Sequence, residues 1–276
     1  MISIAAVIPF AVASVAGPAE LPSSWAGDIG APVDWGDHTV YLYGDTMQPG
    51  NFVQGTTVVV DDTTIPNALP HTVDTFYWPG DGLELADGRL FVVAAEVEQT
   101  GTGAWGFESV DHDGFIVDDP TVPAAWRWAD RVDVGPWGND DILFSDQGTQ
   151  PDGLVLTTAF THEHGSLLFG ADPAQPWAHW ERYALPEPLP ASSGAFMPVQ
   201  TGDGWWGVTW AIWPTMGPDT VVALWHADQA VGPYQWVRTI PNQGETYAHS
   251  LGVIDGVVFH YFSTLNGRVT YQEVNL

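Results

Sequence analysis

Apolar residues in this chain come in short runs rich in Val, Trp, Tyr and Phe, and each run is cut by Gly, Pro or Asp before it reaches helical length. Helical periodicity is hard to find, and β-branched and aromatic runs bounded by turn residues read as strands. One pattern recurs five times. Gly36-Asp37 precedes His38 to Tyr43, Asp87-Gly88 precedes Arg89 to Val93, Asp152-Gly153 precedes Leu154 to Leu156, Asp203-Gly204 precedes Trp205 to Val208, and Asp255-Gly256 precedes Val257 to Tyr261. Asp-Gly between apolar runs signals a tight hairpin, because Gly accepts the positive φ such a turn needs. From Asp37 to Asp87, Asp152, Asp203 and Asp255 the steps are 50, 65, 51 and 52 residues. Later apolar runs complete each unit: Thr56 to Val60, Gly114 to Val117, Ser166 to Phe169, Thr220 to Trp225 and Arg268 to Val274. A repeat of about fifty residues with several short strands fits a propeller blade. The pattern predicts an all-β fold, a five-bladed β-propeller, as one domain over residues 1–276; a β-sandwich with regular hairpins is the competing arrangement. The apolar segment Ile2 to Ala16 reads either as a signal peptide or as an edge strand that closes the ring.

In a propeller the first strand of each blade lines the central channel, so the segments just before the turns are the candidate ligand-facing ones. They are Gly27-Asp28-Ile29-Gly30, Trp78-Pro79-Gly80-Asp81-Gly82, Gly138-Asn139-Asp140-Asp141, Ser193-Gly194-Ala195-Phe196 and Tyr247-Ala248-His249-Ser250. Three carry Asp among Gly, which lets backbone crowd the axis and leaves a carboxylate as the prominent side chain. Asp28, Asp45 and Asp81 are the candidate catalytic carboxylates, against a bland role as turn residues. Asp140 and His249 are candidate ligand contacts, His249 equally a buried packing residue. Trp78, Trp210 and Trp213 are candidate sugar platforms, most of the 15 Trp being structural.

Charge narrows the partners. There are 34 Asp and Glu against six cations, all Arg, for a net charge of −28. Nucleic acid and anionic membrane surfaces would be repelled, whereas a neutral polysaccharide would not. Cys is absent, so disulfides and thiolate metal sites are excluded. His162 and His164 alternate along a run and could share a strand face, but two ligands make no metal site. No metal and no cofactor is expected, although Asp and backbone carbonyls would suit a structural calcium. No phosphate loop, Gly-x-Ser-x-Gly elbow or His-Glu-x-x-His helix occurs.

Gly27-Asp28-Ile29-Gly30, then Val40-Tyr41-Leu42-Tyr43-Gly44-Asp45-Thr46, then Tyr77-Trp78-Pro79-Gly80-Asp81-Gly82 running into Asp87-Gly88-Arg89-Leu90-Phe91-Val92, resembles a family of bacterial and actinophage propellers first catalogued as a domain of unknown function. Its members are endo-D-arabinanases acting on mycobacterial cell-wall arabinan. The resemblance is sharp from Trp25 to Val93 and fades afterwards to blade periodicity and Tyr247-Ala248-His249. It implies hydrolysis of arabinofuranosyl linkages by paired carboxylates in the funnel, with Asp28 and Asp45 at the matching positions and Asp81 as a third, by a protein secreted or carried on a cell or virion surface. Glycosidases need two carboxyl groups, one neutral to protonate the leaving oxygen and one ionised. A non-catalytic carbohydrate-binding propeller, such as a phage tail or adhesion module, is the alternative reading.

Overall fold

The computed structural model describes residues 25–72, 74–101, 107–134, 141–144, 155–160, 166–170, 180–184, 199–209, 221–229, 232–241, 246–254, 256–264 and 269–276. Their strands form five antiparallel sheets, taken in chain order around a ring. The first holds β1 (Ala26–Trp35), β2 (His38–Gln48), β3 (Asn51–Val53), β4 (Thr57–Val60) and β5 (Thr63–Ile65). The second holds β6 (Thr75–Glu84), β7 (Leu90–Gln99), β8 (Phe107–Val117) and β9 (Asp130–Asp133), with the short helix α1 (Pro123–Arg127) between the last two. The third holds β10 (Asp141–Phe144), β11 (Val155–Phe160), β12 (Ser166–Gly170) and β13 (Trp180–Ala184). The fourth holds β14 (Val199–Thr201), β15 (Gly204–Thr209), β16 (Val222–Ala227) and β17 (Gln235–Ile240), and the fifth β18 (Thr246–Ile254), β19 (Val257–Thr264) and β20 (Val269–Glu273). The chain is a five-bladed β-propeller, as its repeat predicts.

Among the described residues, Gly36-Asp37 and Asp87-Gly88 fall in the connection from a blade's first strand to its second, Asp203 immediately precedes the second strand of the fourth blade and Gly256 that of the fifth, and the described parts of the later apolar runs form the next strand outward in each sheet. Gly88 and Gly256 take φ of +82° and +76°, the left-handed conformation these turns require. Residues 1–24, and with them the choice between signal peptide and closing strand, lie outside the described residues, as does the His162 and His164 pair.

The blades are held by apolar layers between neighbouring sheets. Val33, Val40, Leu42 and Val58 of the first blade interlock with Leu90, Val92, Ala94 and Phe115 of the second. Tyr41, Tyr43 and Val59, on the opposite face of the first blade, pack on Phe259 and Tyr261 of the fifth, which closes the ring. Trp206, Val208 and Leu224 of the fourth meet Leu251, Val253 and Val258 of the fifth. Glycine admits the inner strands to close range. A Cβ on Gly82 of β6 would lie 3.4 Å from Val33 and 2.7 Å from the Phe91 carbonyl, and one on Gly252 of β18 would lie 2.7 Å from Pro32. Both contacts bring a first strand against β1.

Candidate functional site

The first strands of the fifth, first and second blades, consecutive in the ring, each carry a break in β-register at a residue the sequence singles out. In β1, Gly27 pairs with Thr46 and Ile29 with Tyr43, so Asp28 alone faces Gly44 and Asp45. In β6 the shift falls between Pro79 and Gly82, at Gly80 and Asp81; in β18 it falls between Tyr247 and Ser250, at Ala248 and His249. Bulges of this kind re-aim side chains and concentrate beside active sites.

The consequence is visible at Asp45. Tyr43 packs toward the fifth blade, and in a regular strand Asp45, two residues on, would point the same way. The extra residue opposite Asp28 switches the alternation, and Asp45 turns to the second blade. There its Oδ1 accepts two hydrogen bonds, from the Gly55 backbone N–H at 2.6 Å and from Trp78 Nε1 at 3.0 Å. Oδ2 has no hydrogen-bond partner among the described residues. Partial burial pushes the Asp45 carboxyl above its ordinary value, only partly opposed by the two donors. A proton on this carboxyl resides on Oδ2, because both donors already occupy Oδ1.

Gly55 suits its task in two ways. Its φ of +83° is the left-handed region, and an added Cβ would sit 3.3 Å from Phe76 Cβ and from the Tyr77 carbonyl of the neighbouring blade. Thr56 beside it donates its hydroxyl to that Tyr77 carbonyl at 2.8 Å, and Thr46 and Thr57 share a buried hydroxyl contact at 2.8 Å. Trp78 is steadied edge-on by Phe107, with ring centroids 4.5 Å apart, and by Phe76 at 5.7 Å. Tyr77 points into the core and donates to Asp113, which also pairs with Arg131 at 2.5 Å.

The structure thus brings together Asp45 and Trp78 directly, and Asp28 with Asp45 by register. Asp81 lies in the β6 register break beside Gly82, which abuts Val33 of β1. His249 is 2% exposed, stacked on His260 at 5.1 Å, with its Nδ1 3.0 Å from His260 Nε2. The Gln272 amide nitrogen lies 3.0 Å from His260 Nδ1 and donates to it; burial keeps the His260 ring neutral, which leaves its Nε2–H directed at His249 Nδ1. Asp140, Trp210 and Trp213 lie outside the described residues. Of the other tryptophans, Trp126, Trp205 and Trp206 are buried and structural.

Gly55, Phe107, His260 and Gln272 are the site residues that sequence reasoning missed. Only Gly55 left a signal, as a turn residue before the run Thr56 to Val60. Among the described residues no three His, Asp or Glu side chains are grouped to hold a metal ion.

No family model matches the chain, and no curated protein matches it in sequence. Solved structures match across nearly its whole length. A thermostable family-43 glycoside hydrolase superposes with a TM-score of 0.62 at 9% identity, over 92% of this chain and 91% of that one. The catalytic domain of the Coprinopsis cinerea family-62 α-L-arabinofuranosidase gives 0.59 at 7% identity, over 90% and 89%. An α-L-arabinofuranosidase from Clostridium thermocellum gives 0.56 at 10% identity, over 89% and 93%. At these identities the likeness is one of fold: the chain shares the five-bladed propeller of glycoside hydrolase families 43 and 62.

Proposed function

We propose that the chain is a glycoside hydrolase that cleaves arabinofuranosyl linkages, acting within D-arabinan chains of mycobacterial-type cell walls, with Asp28 and Asp45 as its carboxyl pair. The observation that carries this reading is the half-buried Asp45, doubly held at Oδ1 and raised in pKa, in the register break directly opposite Asp28. A carboxyl whose pKa is raised by burial is the better suited of the pair to protonate a leaving glycosidic oxygen from Oδ2, while an ionised partner on the inner strand activates water or attacks the anomeric carbon. Trp78 fixes the acid in place and offers an aromatic face beside it. The fold shared with arabinofuranosidases supports the reaction class, and the resemblance of Trp25 to Val93 to endo-D-arabinanases supports the sugar. Such a substrate lies outside the cytoplasm, so the reading implies a secreted, cell-surface or virion-borne protein that takes a polysaccharide as its partner. Asp81, Asp140, Trp210, Trp213 and His249 remain candidate contacts of the same reading.

The test is incubation of the purified chain with mycobacterial arabinogalactan and chromatography of the products, beside L-arabinan, xylan and fructan. Released D-arabino-oligosaccharides are expected, and Asp28→Asn and Asp45→Asn should each lower the rate ~10²–10⁴-fold with the fold retained. Release of only a different sugar would replace the substrate. Binding of arabinogalactan without any product would replace the enzyme by a carbohydrate-binding propeller.

A further inference from the structure

Strand β2 runs on past Asp45 and returns through Pro49-Gly50 as β3, so a narrow hairpin stands on the first blade beside the carboxyl. Its register is Thr46 with Val53, Met47 with Phe52 and Gln48 with Asn51. The base is anchored: Thr46 is buried and bonded to Thr57, and Val53 is buried. Its tip is not, for Met47 is 53% and Phe52 55% exposed. Directly opposed residues of an antiparallel pair project from the same face, so Met47 and Phe52 form one exposed apolar pair. Met47 is two residues beyond Asp45, past the register break, and therefore shares its face. The rise between the two is roughly 7 Å, so the pair lies about one sugar ring from the carboxyl.

We propose that Met47 and Phe52 form a platform for the sugar unit next to the one bound at Asp45, a subsite for a neutral polysaccharide chain. This rests on the reading of Asp45 as part of a glycoside-binding site. An aromatic ring beside a polarisable thioether offers a flat apolar surface to the CH face of a sugar. A net charge of −28 disfavours a polyanion as the occupant. The hairpin continues the strand that carries the carboxyl, so a chain held on the platform is also held in line with Oδ2. The subsite distinguishes polymer from single glycoside.

The test uses the full chain with Phe52→Ala, Met47→Ala and Phe52→Trp, and two probes, arabinogalactan and a nitrophenyl arabinofuranoside. Expected is a fall of about five- to tenfold in the ratio of kcat/KM on the polymer to kcat/KM on the short glycoside for Phe52→Ala, carried by KM, with recovery in Phe52→Trp. Circular dichroism confirms that the exposed substitutions leave the fold intact. An unchanged ratio with active wild-type protein overturns the platform and leaves the hydrolase reading standing. The converse is separated by calorimetric binding of arabinogalactan to Asp45→Asn. Affinity that falls with Phe52→Ala in that background, when the wild type releases no product, keeps the platform and removes the hydrolase. Absence of both binding and turnover overturns both.

Discussion

Asp45 illustrates how one carboxyl acquires two unlike oxygens. Oδ1 is spent on the Gly55 N–H and the Trp78 Nε1–H, and burial raises the group's pKa against them. The folded chain therefore holds this proton to higher pH than the unfolded chain does. The contribution to stability is largest below the ordinary Asp value and is lost as pH rises through the folded one. Asn can accept both bonds through its own Oδ1 and carries no charge. Asp45→Asn should consequently melt at a higher temperature than wild type at pH ~7, and the gain should vanish below pH ~3.9; a lower melting temperature at neutral pH would show the ionised carboxylate to be favoured. Trp78→Phe removes a donor that lowers the Asp45 pKa, so the alkaline limb of the pH–rate profile should move to higher pH if Asp45 is the acid. A shift to lower pH, or none, would take that role from it. Both side chains were legible in the sequence, Asp45 as a carboxylate after an apolar run and Trp78 beside a Pro-Gly turn. Their bond was not, because it joins two blades across 33 positions and depends on a register break no local pattern announces. Gly55 could be read as a turn residue before Thr56, but not its bond to Asp45, which is made by a backbone N–H that any residue type carries.

At the level of strands, the turns were the legible part, because an Asp-Gly pair sets local geometry wherever it stands. The breaks in β1, β6 and β18 are of the other kind: they arise where two strands of unequal residue count must still pair. His249 shows what that conceals. Read alone it is a ligand contact or a packing residue; in the sheet it faces His260 across the β18–β19 pair, with Gln272 of β20 fixing the tautomer. Burial, assisted by His249, pushes the His260 pKa down to about 3. An unfolded His titrates near ~6.5, so the unfolded chain binds the additional proton between those values. The fifth blade is thus fully stabilised above the unfolded pKa and loses stability as pH falls toward the folded one. In urea titrations between pH ~6.5 and ~4, His260→Gln should show a shallower fall of stability with acidification than wild type, by up to about one proton in slope. Equal slopes would mean that the ring is not kept neutral in the folded state. Comparing the two proteins cancels the carboxylates, which titrate alike in both.

Over the whole molecule, the ring form was readable from periodicity because every blade repeats one local device, whereas the sugar was not, since specificity depends on loops and rims that break the repeat. The hairpin with Met47 and Phe52 is such a departure, a fifth strand in the first blade. Charge acts at this scale too. The 34 acidic residues outnumber the six Arg more than fivefold, so folding draws like charges together. The ion pairs that oppose this are few among the described residues. His38–Asp61 and Arg89–Asp87 are solvent-exposed and screened, Arg131–Glu96 joins an exposed Arg to a partly shielded carboxylate, and only Arg131–Asp113 reaches a buried one. Salt screens repulsion and attraction alike, so the sign of its effect depends on which is more numerous, and here repulsion is. Raising sodium chloride from about 0.01 M to about 1 M shortens the Debye length from about 30 Å to about 3 Å, which removes long-range repulsion across the disc. The melting temperature at pH ~7 should rise by a few degrees, and potassium chloride should match sodium chloride because the effect is ionic strength. A flat or falling melting temperature would mean that the acidic groups are already separated beyond mutual influence. A rise that instead saturates at millimolar calcium and ignores sodium chloride would reveal a bound cation as the source of charge compensation.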